Sequence, residues 1–376
     1  LFKISKIGFL GSLSDYILVK IAGIKRDDNF SFAIGLLLYT KHEHQRANVL
    51  FSDIHNFGNL TPRALYLVSI CASWQMNLDI LTRVESESKY DSIKLFVRGL
   101  ILHNSAPHDS IGVFTRVYGS YLLEHPDYSE KDVLPEYVRN SINVSKPLSQ
   151  LLVSQASNGL FRHLERVNTS NAALPSGVSD LILISYTSSY LFALSDIVIG
   201  RIRKNHNHPI HLIISISPFE NTTSVLAFCE NLSLKYRNVL WSIVVSHFDL
   251  PVLSSVIRLV IAQELFDVYL AKSILILDGD TSFMKVDPIR VWEDIGRNFD
   301  VALLENESLC PWERMSLGFT ILNDTENTRE FLLRFDSYVT AHFQDNRAFW
   351  TLDQTAAFLV LQAMKTASSA TPWTSI

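Results

Sequence analysis

Two aspartates separated by one glycine follow a short apolar segment late in the chain. Asp278 and Asp280 come directly after "SILIL" (273–277), with Gly279 between them. Carboxylates this close repel each other unless a cation lies between them. Mg²⁺ and Mn²⁺ bind carboxylate oxygens and complete their coordination with water and phosphate oxygens, and Gly279 has no side chain to obstruct a diphosphate. The stretch therefore predicts a site for Mn²⁺ or Mg²⁺ and a diphosphate, with Asp278 and Asp280 as the metal ligands.

A simpler interpretation of the two aspartates is that they cap a turn or a helix. Short Asp-x-Asp patterns arise by chance, and either carboxylate could accept hydrogen bonds from the backbone that follows. The end of an apolar strand favours the binding site, because ligands of open α/β sheets bind beyond the carboxyl ends of the strands. Both interpretations stay open at this point.

The elements around the aspartates alternate between strands and helices. Apolar runs such as "LILISY" (181–186) and "IHLIISIS" (210–217) are each followed by a helical segment, and the same alternation continues to "SILILD" (273–278). Nearly continuous apolar strands alternating with helices are typical of a mostly parallel sheet covered on both faces. We therefore predict an α/β domain at residues 178–376.

The first part of the chain has a different periodicity. Apolar residues recur three and four apart, and Thr61-Pro62 is a typical helix start. Helical segments pair at intervals of roughly 30 residues, the length of helical-hairpin repeats, although an irregular bundle explains the pattern equally well. We predict an all-α domain at residues 1–165, then a polar linker at 166–180. A helical-repeat surface would suit a protein partner.

Five stretches in the second half resemble the GT-A glycosyltransferases, in particular the group that includes glycogenin and the bacterial lipopolysaccharide galactosyltransferases. The Asp-x-Asp region is similar in "ILILDGDTSF" followed by "VDPIRVW". Four other stretches are similar to further parts of the family. The family's opening strand resembles "LILISYTSSYLFALSDIVIGRI", and the helix before Asp-x-Asp resembles "SSVIRLVIAQELF". Its Asn-Ala-Gly strand resembles "SLGFTILN", and its Asp-Gln pair resembles that in "WTLDQTAAFLVL". The resemblance covers about residues 178 to 362.

The resemblance implies a GT-A (Rossmann-like) domain that moves a hexose from a UDP-sugar to a hydroxyl of a glycan, lipid-linked saccharide or protein, with retention. It implies catalytic roles for Asp353 and Gln354. It also implies a set of residues that bind the donor and its cation: Tyr186, Thr187, Tyr190, Arg258, Asp278, Gly279, Asp280 and Gly318.

The residues themselves leave other roles open for several of these positions. Asp353 could simply cap the helix that follows it, and Arg258 could form a surface ion pair instead of binding a diphosphate. Tyr190 could pack against the protein, and Trp312 could be either core or a platform for the acceptor sugar.

The chain departs from the family pattern at two motifs. Ser316-Leu317-Gly318 stands in place of Asn-Ala-Gly, which affects hydrogen bonds on the sugar side. The family's later His-x-x-Gly-x-Lys-Pro-Trp motif is not intact, and only "TPW" (371–373) is similar to it. A third protein ligand for the metal is therefore not assigned.

Composition and missing motifs argue against several other functions. The net charge of −5 gives no general basic field for nucleic acid. The sequence has no P-loop, Gly-x-Ser-x-Gly or HExxH pattern. His206 and His208, like His42 and His44, are two residues apart and so do not share a helical face; we interpret both pairs as solvated loop histidines. A nucleotidyltransferase and a catalytically degenerate scaffold that binds a protein partner stay as alternatives.

Cysteine content and hydropathy bear on the cellular compartment. The three cysteines are widely spaced, which indicates buried thiols in a reducing compartment. The apolar segment near the start is interrupted by Asp15 and Lys20, so we expect no transmembrane helix in it. These features predict a cytoplasmic protein, although the chain begins at Leu1 and an upstream targeting segment stays open.

Overall fold

The computed structural model describes residues 28–41, 43–129, 132–145, 164–169, 179–281 and 286–367. The chain forms two compact units, residues 1–137 with 308–310, and residues 138–307 with 311–376. The opening apolar segment, His42 and the "TPW" stretch lie outside the described residues. Among the helices described, none has the length and apolar content needed to cross a membrane.

The first unit is built from helices. Thr61 begins one of them as predicted, because its Oγ1 accepts the backbone N–H of Ala64 at 3.3 Å and Pro62 occupies the first turn. The helices range from 9 to 18 residues in length. In chain order they are α1 Asp28–Thr40, α2 His44–Ser52, a 3₁₀ turn at Phe57–Asn59, α3 Pro62–Trp74, α4 Leu78–Glu87, α5 Asp91–Ser105 and α6 Pro107–Glu124.

Aromatic side chains form much of the core of this unit. The ring centroid of Phe96 lies 5.6 Å from that of Tyr66, 6.2 Å from that of Phe114 and 5.8 Å from that of Tyr137. The Tyr137 hydroxyl is 3.1 Å from Ser92 Oγ, and burial raises the pKa of Tyr137 to about 12. Buried rings with one satisfied polar group hold the helices together.

The second unit contains the strands and the remaining helices. Helix α7 (Glu136–Val144) joins this unit from Val138 onward. Buried Asn143 fastens it there, since its backbone oxygen accepts the Tyr338 hydroxyl at 2.6 Å. The other elements are β1 Glu165–Thr169, β2 Asp180–Thr187, α8 Ser188–Asn205, β3 Ile210–Ile216, α9 Thr222–Lys235, β4 Val239–Val245, α10 Leu250–Tyr269, β5 Ser273–Leu277, α11 Pro288–Ile295, a 3₁₀ turn at Gly296–Asn298, β6 Val301–Glu305, α12 Pro311–Arg314, β7 Met315–Asn323, α13 Glu326–Gln344 and α14 Leu352–Ala367.

The strands in the described part of the chain form one seven-stranded sheet in the order β1-β4-β3-β2-β5-β7-β6. The central strands β4, β3, β2 and β5 are parallel, and the strands at both edges pair antiparallel. The predicted fold class, a helical region followed by an α/β domain, is confirmed. Residues 166–169 were predicted to be part of a linker, but they lie in β1 and pair with β4, which has no other neighbour on that side among the described strands. The rest of that linker, up to residue 178, lies outside the described residues.

The order of the parallel strands creates a switch point between β2 and β5. From β2 the chain moves outward through β3 to β4, and it then returns to place β5 on the other side of β2. At such a point the connections leave in opposite directions and open a crevice beyond the carboxyl ends of the two strands. Thr187 ends β2 and Asp278 follows β5, so the fold places both at this crevice.

Candidate functional site

The aspartates after β5 form a closed turn. The backbone N–H of Asp278 donates to the carbonyl of Gly318 on β7 at 3.0 Å. The backbone N–H and the hydroxyl of Thr281 both donate to the carbonyl of Asp278, at 3.0 and 2.7 Å. The Asp278 side chain is 44% exposed, and Asp280 is exposed. The turn therefore presents two carboxylates at the crevice edge of the sheet.

Arg258 lies beneath this turn on helix α10. It is 5% exposed, and its Nη1 forms an ion pair with Asp278 Oδ1. Its Nη2 lies 3.4 Å from Asp353 Oδ2, and its Nε donates to the carbonyl of Ser255 at 3.0 Å. The guanidinium therefore joins the turn after β5 to the first turn of α14.

The cluster of Arg258, Asp278 and Asp353 contains two carboxylates and one guanidinium. Burial lowers the pKa of Arg258, but Asp278 and Asp353 outweigh burial and the pKa is raised. Burial raises the pKa of Asp353 even though Arg258 lies beside it, and the Asp278 charge acts in the same direction. Arg258 therefore stays charged, and burial, with a smaller contribution from the Asp278 charge, favours protonation of Asp353.

Two glycines are required by their immediate neighbours. A Cβ atom at Gly318 would lie less than 3.0 Å from Asp278 Oδ2, and one at Gly279 would lie less than 3.0 Å from the ring of Tyr186. The sequence interpretation gave Gly279 the role of leaving room for a diphosphate. In the structure, the Tyr186 ring occupies the space beside it.

The end of β2 has one buried and two accessible candidates. Tyr186 is buried, and its hydroxyl has no hydrogen-bond partner among the described residues. Burial, and then the charge of Asp280, raise the pKa of Tyr186. Thr187 Oγ1 lies 3.1 Å from Ser189 Oγ, and Tyr190 is 52% exposed in the first turn of α8. Thr187 and Tyr190 are thus open to a ligand, whereas the Tyr186 ring is part of the core.

Asp353 and Gln354 lie in the first turn of α14 and face the protein. Asp353 is 3% exposed and bound to Arg258. With its amide turned so that both groups are satisfied, Gln354 donates to the carbonyl of Met315 at 3.2 Å and to that of Trp312. Trp312 is buried, as expected of a core residue and not of a sugar platform. The pair therefore fastens α14 to the site and to the start of β7.

The carboxylates after β5 suit a hard divalent cation. Asp278 and Asp280 supply oxygen ligands, and Mg²⁺ or Mn²⁺ commonly takes only one or two carboxylates with water and phosphate. Within the described ranges, the two aspartates form no group of three with another histidine, cysteine, aspartate or glutamate. Asp278 and Asp280 are therefore the side chains of this turn that could hold such a cation.

The structure brings together most of the residues predicted from sequence. Arg258, Asp278, Gly318 and Asp353 are in direct contact, and Tyr186 packs on Gly279 beside them. Their roles in donor binding and catalysis stay predictions. Sequence reasoning missed the hydrogen bond from Ser185 Oγ to the Ser254 carbonyl, at 2.5 Å, which fastens β2 to α10 beneath the site.

His206 and His208 were predicted to be solvated loop histidines, and the structure differs from that prediction. His206 is buried, and Nε2 of His208 lies 2.8 Å from Glu293 Oε1. The sequence interpretation assumed helical spacing, but His206 ends the helix in an extended conformation (φ −136°, ψ 144°). Residues two apart in extended backbone share one side, so both rings reach the same neighbours.

Comparisons with known proteins found only distant structural similarity. No family model matches the chain, and no curated protein matches it. Among solved structures the chain is similar to the apo structure of the bifunctional glycosyltransferase WbbM, with a TM-score of 0.36 and 13% identity over 74% of this chain. The chain spans 60% of the length of that protein. A similarity this distant assigns no role to any residue.

Proposed function

We propose that this chain is a metal-dependent glycosyltransferase that moves a hexose from a UDP-sugar to a hydroxyl of a glycan, lipid-linked saccharide or protein, with retention. The observation that supports the proposal is the Asp278-Gly279-Asp280 turn at the β2/β5 switch point, with the Asp278 carboxylate held by buried Arg258. Crevices of this kind bind nucleotides in α/β proteins. Adjacent carboxylates there suit a cation that carries a diphosphate.

In this proposal Asp278 and Asp280 hold Mn²⁺ or Mg²⁺. The cation, when bound, supplies positive charge to the departing diphosphate. Thr187 and Tyr190, which are accessible at the end of β2, contact the nucleotide. Gly318 keeps the neighbouring strand close enough for the Asp278 carboxylate to hold its position.

Arg258 and Asp353 receive positioning roles in the same proposal. Both side chains are buried and pair with each other, so they act on the donor through Asp278. The guanidinium fixes the carboxylate before the substrate arrives, which avoids reorganisation during the reaction. Asp353 fixes the other side of the guanidinium, and Gln354 anchors the helix that carries Asp353. A nucleophilic role for Asp353 is not part of the proposal.

The test of this function is the release of UDP. The full chain is incubated with Mn²⁺ and a panel of UDP-sugars, and UDP is measured with and without saccharide acceptors. A nucleotidyltransferase would instead release pyrophosphate from UTP and a sugar phosphate. A scaffold would bind UDP with Mn²⁺ and release no product.

A pair of aspartate variants makes the test specific to the proposed site. Asp280→Asn keeps the size of the side chain but removes the charge that binds the cation, so Mn²⁺-dependent turnover should be nearly abolished. Asp127→Asn, which changes an exposed aspartate of the helical unit, is the matched control and should retain full turnover. Undiminished Mn²⁺-dependent turnover by Asp280→Asn would contradict the assignment.

We further propose that the helical unit binds a protein acceptor or partner. A groove of about 660 Å³ in this unit is lined by side chains of both charges, including Glu85, Asp91, Lys94 and Arg98. A mixed-charge groove suits a polar polypeptide segment. Arg98→Glu should then weaken transfer to a protein acceptor and leave transfer to a small saccharide unchanged. Equal loss with both acceptors would contradict this role.

A further inference from the structure

A cluster of two histidines and two carboxylates lies at the edge of the sheet opposite the candidate site. His206 and His208 precede β3, at the amino end of the parallel strands, whereas Asp278 follows the carboxyl end of β5. Asp287 caps helix α11, and Glu293 lies on the same helix. The proposed glycosyl transfer uses none of these four residues.

The loop that carries the histidines is held in place by Arg203. Its Nη1 donates to the carbonyl of His208 at 2.7 Å, and its Nη2 donates to the carbonyl of Arg237 at 2.9 Å. On the other side, Asp287 Oδ1 accepts the backbone N–H of Ile289 at 3.0 Å. Both halves of the cluster therefore rest on backbone hydrogen bonds, so the side chains are presented in a fixed arrangement.

Asp287 orients the His206 ring. Its Oδ2 lies 2.8 Å from His206 Nε2. The Asp287 carboxylate accepts a hydrogen bond from His206 Nε2–H, which leaves the other ring nitrogen, Nδ1, to face Glu293. A carboxylate that orients a histidine in this way is the usual neighbour of a metal-binding histidine.

The remaining donor atoms converge on one point. His206 Nδ1 is 3.5 Å from Glu293 Oε1, His208 Nε2 is 2.8 Å from the same carboxylate oxygen, and all three residues have ligand atoms within 4.8 Å of one another. Zinc bonds of about 2.0–2.1 Å place tetrahedral ligand atoms about 3.4 Å apart. The 3.5 Å distance from His206 Nδ1 to Glu293 Oε1 fits this separation. The 2.8 Å distance from His208 Nε2 reaches it if the His208 ring moves outward by about 0.6 Å.

We propose that His206, His208 and Glu293 form a second metal site, one that binds Zn²⁺ or a similar transition-metal ion. Imidazole nitrogens and one carboxylate suit such an ion, whereas Mg²⁺ prefers oxygen ligands. The side chains of His208 and Glu293 are 22% and 42% exposed, so water can take the fourth position. A bound ion would join the loop before β3 to helix α11 and stabilise the amino edge of the sheet.

The experiment is a titration of Zn²⁺ into the chelator-treated full chain. The chain carries Asp280→Asn, so that the cation site proposed after β5 does not contribute. Calorimetry should give one Zn²⁺ per chain, Zn²⁺ alone should raise the melting temperature, and Co²⁺ should give the visible absorption of a low-coordinate site with nitrogen ligands. Because the readouts are independent of turnover, they distinguish failure of this proposal from failure of the glycosyltransferase assignment.

Variants in the same background assign the ligands. His208→Asn and Glu293→Gln should each abolish the Zn²⁺-dependent rise in melting temperature, and Asp287→Asn should weaken binding about 10- to 100-fold. Both ligand changes are at partly exposed side chains, and circular dichroism confirms that the variants fold. His247→Asn, which changes an exposed histidine elsewhere in the unit, is the matched control and should bind as the parent does. Absence of Zn²⁺ binding by the parent, or unchanged binding by His208→Asn and Glu293→Gln, would overturn the proposal.

Discussion

Gly318 lies directly against the carboxylate of Asp278 across the paired strands β7 and β5. The Asp278 N–H donates to the Gly318 carbonyl at 3.0 Å, and a Cβ atom at position 318 would overlap Asp278 Oδ2. The carboxylate is also paired with Arg258, so it is confined between a backbone and a guanidinium. A single methyl group at position 318 should therefore displace the proposed metal ligand.

Gly318→Ala tests this confinement. We expect a large loss of Mn²⁺-dependent UDP release, about 100-fold, because small displacements of catalytic groups cost that much. The secondary structure should be retained, as measured by circular dichroism. Gly119→Ala is the matched control, since a Cβ at position 119 in helix α6 meets no atom within 4 Å. Equal turnover by the parent and Gly318→Ala would show that the Asp278 carboxylate does not take part.

Arg258 should be more important for stability than its single charge suggests. Arg258→Met leaves two carboxylates, Asp278 and Asp353, without their shared cation, and removal of one partner from a buried pair costs on the order of 3–5 kcal/mol. Arg258→Lys should cost less, but it cannot form the two-sided contact and should lower turnover. The free energy of unfolding is measured by denaturant titration.

An exposed ion pair provides the control for Arg258. Arg297 pairs with Asp180 at 2.8 Å and its side chain is 64% exposed, so Arg297→Met should cost no more than about 1 kcal/mol. Similar losses for Arg258→Met and Arg297→Met would mean that the guanidinium beneath the turn is solvated and does not hold the carboxylates.

The raised pKa of Asp353 predicts a specific dependence of stability on pH. The folded protein binds this proton more tightly than the unfolded chain, whose carboxyl titrates near its ordinary value of 3.8. The contribution of Asp353 to stability is therefore fully present below that pH and declines as the pH rises through the folded pKa. Asp353→Asn should remove this decline. Denaturant titrations of parent and variant, run from below the ordinary carboxyl pKa up to neutral pH, should give a difference in unfolding free energy that changes with pH. A constant difference would contradict the raised pKa.

The parallel strands could be predicted because they are covered on both faces. Residues 181–186 and 274–277 are fully or almost fully buried, and a strand in that position has to be apolar along its whole length. Asp278 and Asp280 could be identified from the sequence because they interrupt the apolar run of residues 274–277. Arg258 also had a partial signal, because it lies in a helix that is apolar on nearly every face, and an arginine buried in such a helix needs a charged partner.

The partners of these residues could not be predicted in the same way. Asp353 is 95 positions from Arg258 along the chain, and only the packing of α14 against α10 brings them together. The packing role of Gly279 depends on the Tyr186 ring from another strand. His206 and His208 were misinterpreted because their spacing was judged on helical geometry, while the backbone there is extended. Local patterns specify an element, whereas these contacts depend on how elements are placed in the fold.

Removing the hydroxyl of Tyr186 tests whether this residue serves in packing or in donor binding. Its oxygen is buried without a hydrogen-bond partner among the described residues, while its ring fills the space beside Gly279. Tyr186→Phe keeps the ring and removes the unsatisfied group, so the free protein should be as stable as the parent or more stable, by up to about 1–3 kcal/mol. If the ring alone matters, the KM for the UDP-sugar stays unchanged.

A raised KM in Tyr186→Phe would instead show that the hydroxyl binds the donor. A hydrogen bond from Tyr186 to the donor would be lost in Tyr186→Phe, and the KM should then rise about 10-fold, equivalent to roughly 1.4 kcal/mol of binding. Tyr186→Leu is the companion variant, since it removes the ring and leaves a space beside Gly279. We expect that change to destabilise the turn and to lower turnover even if Tyr186→Phe has no effect. If Tyr186→Leu has normal stability and turnover, the Tyr186 ring packed on Gly279 does not shape the Asp278-Gly279-Asp280 turn.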